Sequence, residues 1–328
     1  MSACANYFTR SPLTSSVLSS NQRDPSYSSF PPPMSKSLLT PAFLVNQEPW
    51  PITAPRGVSS ACPSFVCLGA ARSGDRFLRF GTWNVGTMTG RSGEVMEVLV
   101  RRRVDICCVQ ETRWKGSGVR MVKGRQGQKY KFVWQGCPEG VNGVGVLFSE
   151  EFVDSVVSVT RVSDRLMMVK MMIGKLLVNV ISGYAPQVGR SDEEKDKFWC
   201  AIEKLMENVK DEEVVVVGGD LNGHVGRSMD GFEGVHGGYG YGVRNGEGER
   251  ILEFADGADL LICNTQFQKE DNKLVTYTSG GSTTTPCFIQ GRKCSHEVLS
   301  NLHVNVSVIA HGAQISVYDY VSCRQFAF

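Results

Sequence analysis

Val214-Val-Val-Val-Gly-Gly-Asp220-Leu-Asn222 decides the fold. Four consecutive β-branched side chains stiffen the backbone and disfavour a helix, and so short an apolar run predicts a buried strand. Two glycines follow, then a carboxylate and a carboxamide two positions apart. In extended backbone, positions i and i+2 project to the same side. Asp220 and Asn222 are therefore expected to point together from the mouth of a sheet, where a metal-dependent hydrolase needs polar groups. Asp, Asn and Gly are also the ordinary residues of a turn at a strand end. On this stretch alone both readings stand.

Three further segments repeat the pattern. Phe80-Gly-Thr-Trp-Asn84 predicts a short strand ending in a carboxamide. Residues 104–111, Val-Asp-Ile-Cys-Cys-Val-Gln-Glu, predict an apolar strand that delivers Glu111. Residues 176–184, Leu-Leu-Val-Asn-Val-Ile-Ser-Gly-Tyr, predict another that delivers Tyr184 just before Ala-Pro. Taken singly, a Glu after a strand is more often a solvated loop residue, and a Tyr a half-buried core residue with a wet hydroxyl. Asn84, Glu111, Tyr184, Asp220 and Asn222, each at the carboxyl end of a strand, argue instead for one site assembled from strand ends.

Between the strands the apolar spacing becomes helical. Residues 94–103 predict a helix burying Val95, Val98 and Leu99, with Arg101-Arg-Arg103 complementing the dipole of its last turn. Residues 192–210 predict an amphipathic helix with Phe198, Ile202, Leu205, Met206 and Val209 on one face. Residues 224–248 form a glycine-rich loop. Its Gly237-Gly-Tyr-Gly-Tyr-Gly242 mimics dinucleotide-binding text but opens no strand–turn–helix unit, which excludes that reading. A helix over 247–257 with Ile251, Leu252 and Phe254 follows, then a strand Leu260-Leu-Ile-Cys263. With 130–134 and 143–148 paired as a meander, these elements predict a two-sheet α/β sandwich.

The chain of 328 residues has room for one large α/β domain plus appendages. Its first 75 residues hold 10 of the 13 prolines and only 3 of the 35 glycines, are rich in serine, and predict a disordered leader. Met1–Ser20 has no continuous apolar stretch, being interrupted by Asn6, Arg10 and Pro12, which argues against a signal peptide. Asp24 and the prolines spoil the amphipathic helix of a mitochondrial presequence. No apolar run approaches the roughly 18–20 residues of a membrane span, so a soluble chain without a membrane partner is expected. The eleven cysteines form no C-x-x-C pair, and Cys107, Cys108 and Cys263 fall in strands, as core thiols of a reducing compartment do.

A net charge of +2 lacks the global basicity of a typical DNA-binding domain. Basic residues do cluster locally. Arg113, Lys115, Arg120, Lys123, Arg125, Lys129 and Lys131 follow Glu111, interleaved with Trp114, Tyr130 and Trp134. They suit either a rim that tracks phosphates, with Arg113 and Lys115 as its substrate-binding residues, or a solvated hairpin with a charged edge.

Gly81-Thr-Trp-Asn-Val85, Val109-Gln-Glu-Thr-Arg113, Gly143-Val-Gly-Val-Leu147, Gly183-Tyr-Ala-Pro186, Gly219-Asp-Leu-Asn222 and Thr276-Tyr-Thr278 stand in this order. In these motifs and their spacing, over roughly residues 76–285, the chain resembles the endonuclease/exonuclease/phosphatase superfamily. The likeness is closest to the apurinic-type endonuclease domain of non-LTR (LINE, RTE-type) retrotransposons. The resemblance implies a DNase I-like fold and hydrolysis of phosphodiesters in DNA. It also implies Mg2+ or Mn2+ as cofactor, contact with the DNA phosphate backbone, and a nuclear rather than cytoplasmic location. Glu111 would hold the cation with Asn84 nearby, since magnesium takes hard carboxylate oxygens and keeps several waters. Asp220 would orient or deprotonate the attacking water. Asn222 would donate to the phosphate or fix that aspartate, and Tyr184 would approach a non-bridging phosphate oxygen.

The likeness stops near Thr284. The family continues with a strand carrying an Asp-Tyr pair and ends with a histidine in a short polar motif. Here Thr285-Pro-Cys-Phe-Ile-Gln-Gly-Arg-Lys-Cys follows, with no aspartate until Asp319, and His296, His303 and His311 stand in unrelated text. The expected organisation is thus a leader over 1–75, a C-terminally truncated domain over 76–285, and an unrelated tail over 286–328. Sheet edges left without their last strands would be uncovered. Two alternatives to an impaired DNA endonuclease remain at this point. One is a hydrolase of the same superfamily acting on a phosphoinositide or sphingolipid. The other is a non-catalytic remnant that binds nucleic acid or protein.

Overall fold

The computed structural model describes residues 78–124, 127–266 and 268, with the backbone of residues 277–279, 282–284, 287–292, 302–303 and 314–320. The leader expected over 1–75, Arg125, His296 and His311 lie outside the described residues. The first half of the domain runs β1 (Leu78–Asn84), α1 (Ser92–Arg101), β2 (Ile106–Gln110), β3 (Ser117–Lys123), β4 (Lys129–Gln135), β5 (Val144–Ser149), β6 (Val156–Ser163) and β7 (Leu166–Ile173). Then come β8 (Leu176–Tyr184), α2 (Asp192–Met206), β9 (Val214–Asp220), α3 (Gly246–Gly257) and β10 (Leu260–Ile262). The remaining strands are β11 (Tyr277–Ser279), β12 (Ser282–Thr284), β13 (Cys287–Arg292), β14 (Leu302–His303) and β15 (Gln314–Tyr320).

Among the described residues, seven strands form one sheet in the order β14-β15-β1-β2-β5-β4-β3. Six form a second, β10-β13-β9-β8-β7-β6, and β11 and β12 make a separate hairpin. β1 runs parallel to β2, and β8 parallel to β9. Parallel neighbours need a crossover, supplied here by α1 and by α2. Parallel pairing also brings the carboxyl ends of each pair to one edge, which is how polar residues from separate strands come to meet.

The two sheets stack face to face with helices outside. Phe80, Ile106, Cys108, Val146, Met167, Val169, Val180 and Val216 fill the space between the sheets. α1 covers the outer face of the first sheet, packing Val95, Met96 and Leu99 against Cys107, Val109 and Leu147. α2 and α3 cover the second, packing Phe198, Ile202, Leu205, Ile251 and Leu252 against Val215 and Val217. The valine run of β9 is thus apolar throughout because both its faces are covered, as in other parallel-paired strands. Each such side chain taken fully from water contributes on the order of 1.5–3 kcal/mol. Cys107 and Cys108 belong to these cores, and burial pushes the Cys108 thiol up to about 12.

The two glycines of β9 do not turn the chain. The strand continues through them to Asp220. A Cβ on Gly218 would stand 2.9 Å from Cys108 Sγ, and one on Gly219 would meet the carbonyl oxygen of Gly183. They are glycines because the facing sheet and the neighbouring strand come close.

Several expectations are corrected. α1 ends at Arg101, with Arg103 beyond it in left-handed backbone, and Met96 takes a buried place while Val98 is only partly covered. α2 ends at Met206 rather than 210, and Cys263 opens a single 3-10 turn instead of closing a strand. β6 and β7 answer to no expectation, and β3 only to that of a solvated, charged hairpin. β3 and β6 are edge strands with mostly exposed side chains, so their burial leaves no apolar alternation to detect. The edges at β1 and β9 are not left uncovered. β13 pairs antiparallel with β9 from Cys287↔Asp220 to Gly291↔Val216, and β15 pairs with β1 from Leu78↔Tyr320 to Asn84↔Gln314. Backbone hydrogen bonding needs no particular side chains, so a segment without the family's motifs can still complete a ladder. No helix among the described residues is long and apolar enough to cross a membrane.

Candidate active site

Two carboxylates share one amide at the seam between the sheets. Asn84, the last residue of β1, donates from Nδ2 to Glu111 Oε1 at 2.9 Å and to Asp220 Oδ2 at 2.8 Å. Its Oδ1 accepts from the backbone N–H of Gly86 at 3.0 Å, so the amide has one sensible orientation. Tyr184 donates its hydroxyl to the same Glu111 Oε1 at 2.9 Å. Arg113 donates from Nη2 to the other oxygen, Oε2, at 2.9 Å. Asp220 Oδ1 accepts from the backbone N–H of Asn222 at 3.2 Å. Asn84 and Glu111 come from the first sheet, Tyr184 and Asp220 from the second.

A buried polar floor holds the glutamate in place. Gln110 exchanges hydrogen bonds with Thr82 at 3.2 and 3.3 Å and donates to Ser182 Oγ at 3.4 Å. Ser182 in turn donates to the carbonyl of Val109 at 3.3 Å, tying β8 to β2. Glu111, Arg113 and Asn222 are three of the five described non-glycine residues with positive φ, at 52°, 53° and 50°. Left-handed backbone costs an ordinary residue about 1–2 kcal/mol, and such strain collects at functional sites. The turn holding Glu111 and Arg113 is fixed by Thr112 N–H on Gly143 O at 3.1 Å and Arg113 N–H on Asn142 O at 2.8 Å.

The two carboxylates are driven in opposite directions. Burial would raise Glu111, but donors from Asn84, Arg113 and Tyr184, and the charge of Arg113, hold it below the usual range. Asp220 is raised from 3.8 to about 6, chiefly by burial, with the nearby Glu111 charge adding and the Asn84 and Asn222 donors opposing. Tyr184 is pushed up by burial and then by the charge of Glu111, so its phenol stays a neutral donor. One carboxylate is therefore fixed as an anion, while the other changes state near neutrality.

That arrangement has a measurable consequence in the metal-free protein. A raised Asp220 binds its proton more tightly folded than unfolded. Its contribution to stability is full below pH 4 and is lost as pH rises through about 6. A shift of this size corresponds to about 3 kcal/mol at most, at 1.36 kcal/mol per unit. In chelator, Asp220→Asn is expected to gain stability relative to the parent between pH 5 and pH 8. Thermal melts at both pH values check this; a difference that does not change with pH would exclude it.

The structure brings Asn84, Glu111, Tyr184, Asp220 and Arg113 into one cluster and treats Asn222 and Lys115 differently. The projection argument fails at Asn222, where the backbone is left-handed rather than extended. Its Nδ2 donates to the carbonyl of Ala185 at 2.8 Å, and its backbone N–H serves Asp220. Asn222 is thus a clamp on the aspartate. Lys115 is exposed, and its carbonyl accepts from Trp134 Nε1 at 3.4 Å. Beyond it the basic stretch is a hairpin of β3 and β4 carrying an aromatic cluster. Trp114 stands edge-on to Phe132 and Trp134 at 5.2 and 5.1 Å, and Arg120 lies 5.4 Å from the Trp114 ring. Asn84 faces both carboxylates with its N–H2, not with its oxygen.

Arg165 is a site residue that the sequence does not announce. It sits between β6 and β7, covers the Tyr184 ring at 4.9 Å, and donates to the carbonyls of Tyr184 and Ala185 at 3.4 and 3.5 Å. Its Nη2 reaches Glu194 of α2 at 3.4 Å. Outside the site, Asn245 caps α3 through Gly248 N–H at 2.8 Å while accepting from His224 N–H at 2.9 Å, which fixes the chain that follows Asn222. Recognising β6 and β7 as a hairpin would have exposed Arg165 as its corner.

The chain is similar to known proteins in sequence and in fold. The chain is 28% identical over 200 residues to craniofacial development protein 2 of Bos taurus, covering 61% of this chain and 33% of that protein. It spans about a third of the length of the curated relatives it matches. Among solved structures it is similar to the endonuclease domain of TRAS1, a telomere-specific non-LTR retrotransposon. That similarity has a TM-score of 0.50 and 12% identity, over 75% of this chain and 99% of that one. It is also similar to the AP endonuclease LMAP from Leishmania major, with a TM-score of 0.53 and 11% identity over 76% and 89% of the two chains. Those structures share its fold, a DNase I-like α/β sandwich. Residues 81–289, more than half of the chain, match the endonuclease/exonuclease/phosphatase family, and the chain belongs to that family.

Proposed function

We propose that this chain is a divalent-metal-dependent phosphodiester hydrolase of the retrotransposon DNA endonuclease type, acting in the nucleus on the DNA backbone. Its rate is held down because the strand after Thr284, Cys287–Arg292, carries no Asp-Tyr pair and no histidine of the family's terminal motif follows. The observation that carries the reading is the Asn84 amide held between Glu111 and Asp220. It sets an ionised carboxylate beside one that titrates near neutrality, which is how a site separates a charge-holding role from a proton-moving one.

The residues fit magnesium or manganese. Glu111 is kept ionised, one of its oxygens is anchored by Asn84 and Tyr184, and the other meets a half-exposed guanidinium. A single hard carboxylate with waters and a substrate phosphate suffices for such an ion. When bound, the ion neutralises charge on the scissile phosphate. Glu111 would hold it, and Asn84 would position Glu111 through its amide. Asp220 would accept the proton of the attacking water, Asn222 would hold Asp220 in place, and the neutral Tyr184 phenol would stabilise charge on phosphate oxygen. Arg113 and Lys115 would meet the backbone phosphates.

Glu111 is expected to carry the cation affinity. Titration calorimetry with Mg2+ or Mn2+ should give weak binding by the parent and a loss of heat in Glu111→Ala. Equal heats for the two proteins would sink the assignment.

A further inference from the structure

On the reading that Glu111 serves a divalent cation, we propose that Arg113 is a displaceable counter-charge. It neutralises Glu111 in the metal-free protein and turns to the DNA phosphate once Oε2 is taken. The two oxygens of Glu111 are held unequally. Oε1 accepts from two neutral donors, Asn84 and the buried Tyr184, both at 2.9 Å. Oε2 meets the Arg113 guanidinium at 2.9 Å, on a side chain that is 51% exposed against 16% for Glu111. An ion pair so open to water contributes little, so giving it up costs little. A divalent cation brings twice the charge and prefers a hard carboxylate oxygen.

The backbone supports this division of labour. Glu111 and Arg113 both sit in left-handed conformation, on either side of the buried Thr112. The N–H groups of Thr112 and Arg113 are spent on the carbonyls of Gly143 and Asn142. Thr112 Oγ1 is buried without a hydrogen-bond partner, so the turn costs both strain and an unsatisfied hydroxyl. With the main chain pinned, a change of state falls to the Arg113 side chain, which swings without moving the carboxylate. A released guanidinium two residues from Glu111 lies within reach of a phosphate bound there. Its planar fork suits phosphate oxygens.

The test compares the full chain with Arg113→Gln and Glu111→Ala. Mn2+ affinity is read by calorimetry. Binding of a DNA duplex is read by fluorescence anisotropy over a salt series, once in chelator and once with Ca2+. Arg113→Gln should tighten Mn2+ binding by about 2- to 5-fold, the equivalent of an exposed ion pair. In Ca2+ it should lower the slope of log affinity against log salt by about one, the signature of one lost phosphate contact. In chelator the two slopes should coincide. Unchanged or weaker Mn2+ binding by Arg113→Gln, with Glu111→Ala still losing it, overturns the proposal. So does an equal slope difference with and without Ca2+, which would make Arg113 a permanent phosphate contact. Mn2+ affinity that survives Glu111→Ala removes the metal assignment itself, and the counter-charge falls with it.

Discussion

Asp220→Asn is expected to slow magnesium-dependent nicking of supercoiled plasmid by about 10²–10⁴-fold, the usual worth of a proton-transfer group. The substitution is nearly isosteric, so β9 and its ladders should persist. What changes is charge and capacity. Asp220 accepts from Asn84 Nδ2 on one oxygen and from Asn222 N–H on the other. An amide in its place keeps one acceptor, turns the other into a donor, and cannot take a proton from water. Burial that lifts Asp220 to about 6 sets its proton affinity near that of the working medium, where a general base is most effective. Circular dichroism alongside the nicking assay separates loss of chemistry from loss of fold. An unaltered rate in a folded variant would remove Asp220 from the mechanism.

The opposite change is expected from rebuilding the tail. A chain in which residues 286–328 are replaced by the family's Asp-Tyr strand and terminal histidine segment should nick at least about 10²-fold faster than the parent. A histidine facing the phosphate, with an aspartate fixing its tautomer, supplies positive charge where the transition state gains negative charge. The described site holds Glu111, Asn84, Tyr184 and Asp220, and the text after Thr284 offers no matching motif for the rest. The grafted segment must also supply an antiparallel partner to β9 and to β1, since residues 287–292 and 314–320 do so now. Comparable rates for parent and graft, both abolished by Asp220→Asn, would show that the natural chain is a complete enzyme and the inferred impairment wrong.

What could be read from residues alone follows from physics that is local in the chain. The valine run of β9 and the apolar face of α2 declare themselves because burial on two faces, or on one helical face, leaves a short-range pattern. The residues at the carboxyl ends of β1, β2, β8 and β9 were legible for the same reason, since each follows a run of that kind. Other features were not. Gly218 looks like a turn residue until Cys108 of the other sheet is in place 2.9 Å from where its Cβ would be. Asn222 was expected to extend the strand, but its left-handed backbone is set by the hydrogen bonds of Asp220 and Ala185, which are tertiary. Arg165 acts from a hairpin whose outer strand is too exposed to leave a signal. Likewise β13 and β15 pair through backbone, which any sequence offers and none advertises.

Because half of the site rides on each sheet, its integrity reports on how the two halves of the sandwich are seated. Asn84 bonds to Asp220 across 136 residues of chain, at 2.8 Å, through a contact between layers that no single ladder enforces. A hydrogen bond weakens steeply with misalignment, and a close-packed interface does not shift without loss, so a small rotation of one sheet on the other would undo this contact first. Moderate heating, low denaturant or a bulky side chain buried far from the carboxylates would therefore part the two carboxylates while the secondary structure is still intact. The paired carboxylates are the first feature a drifting lineage of such chains would lose, and the fold the last.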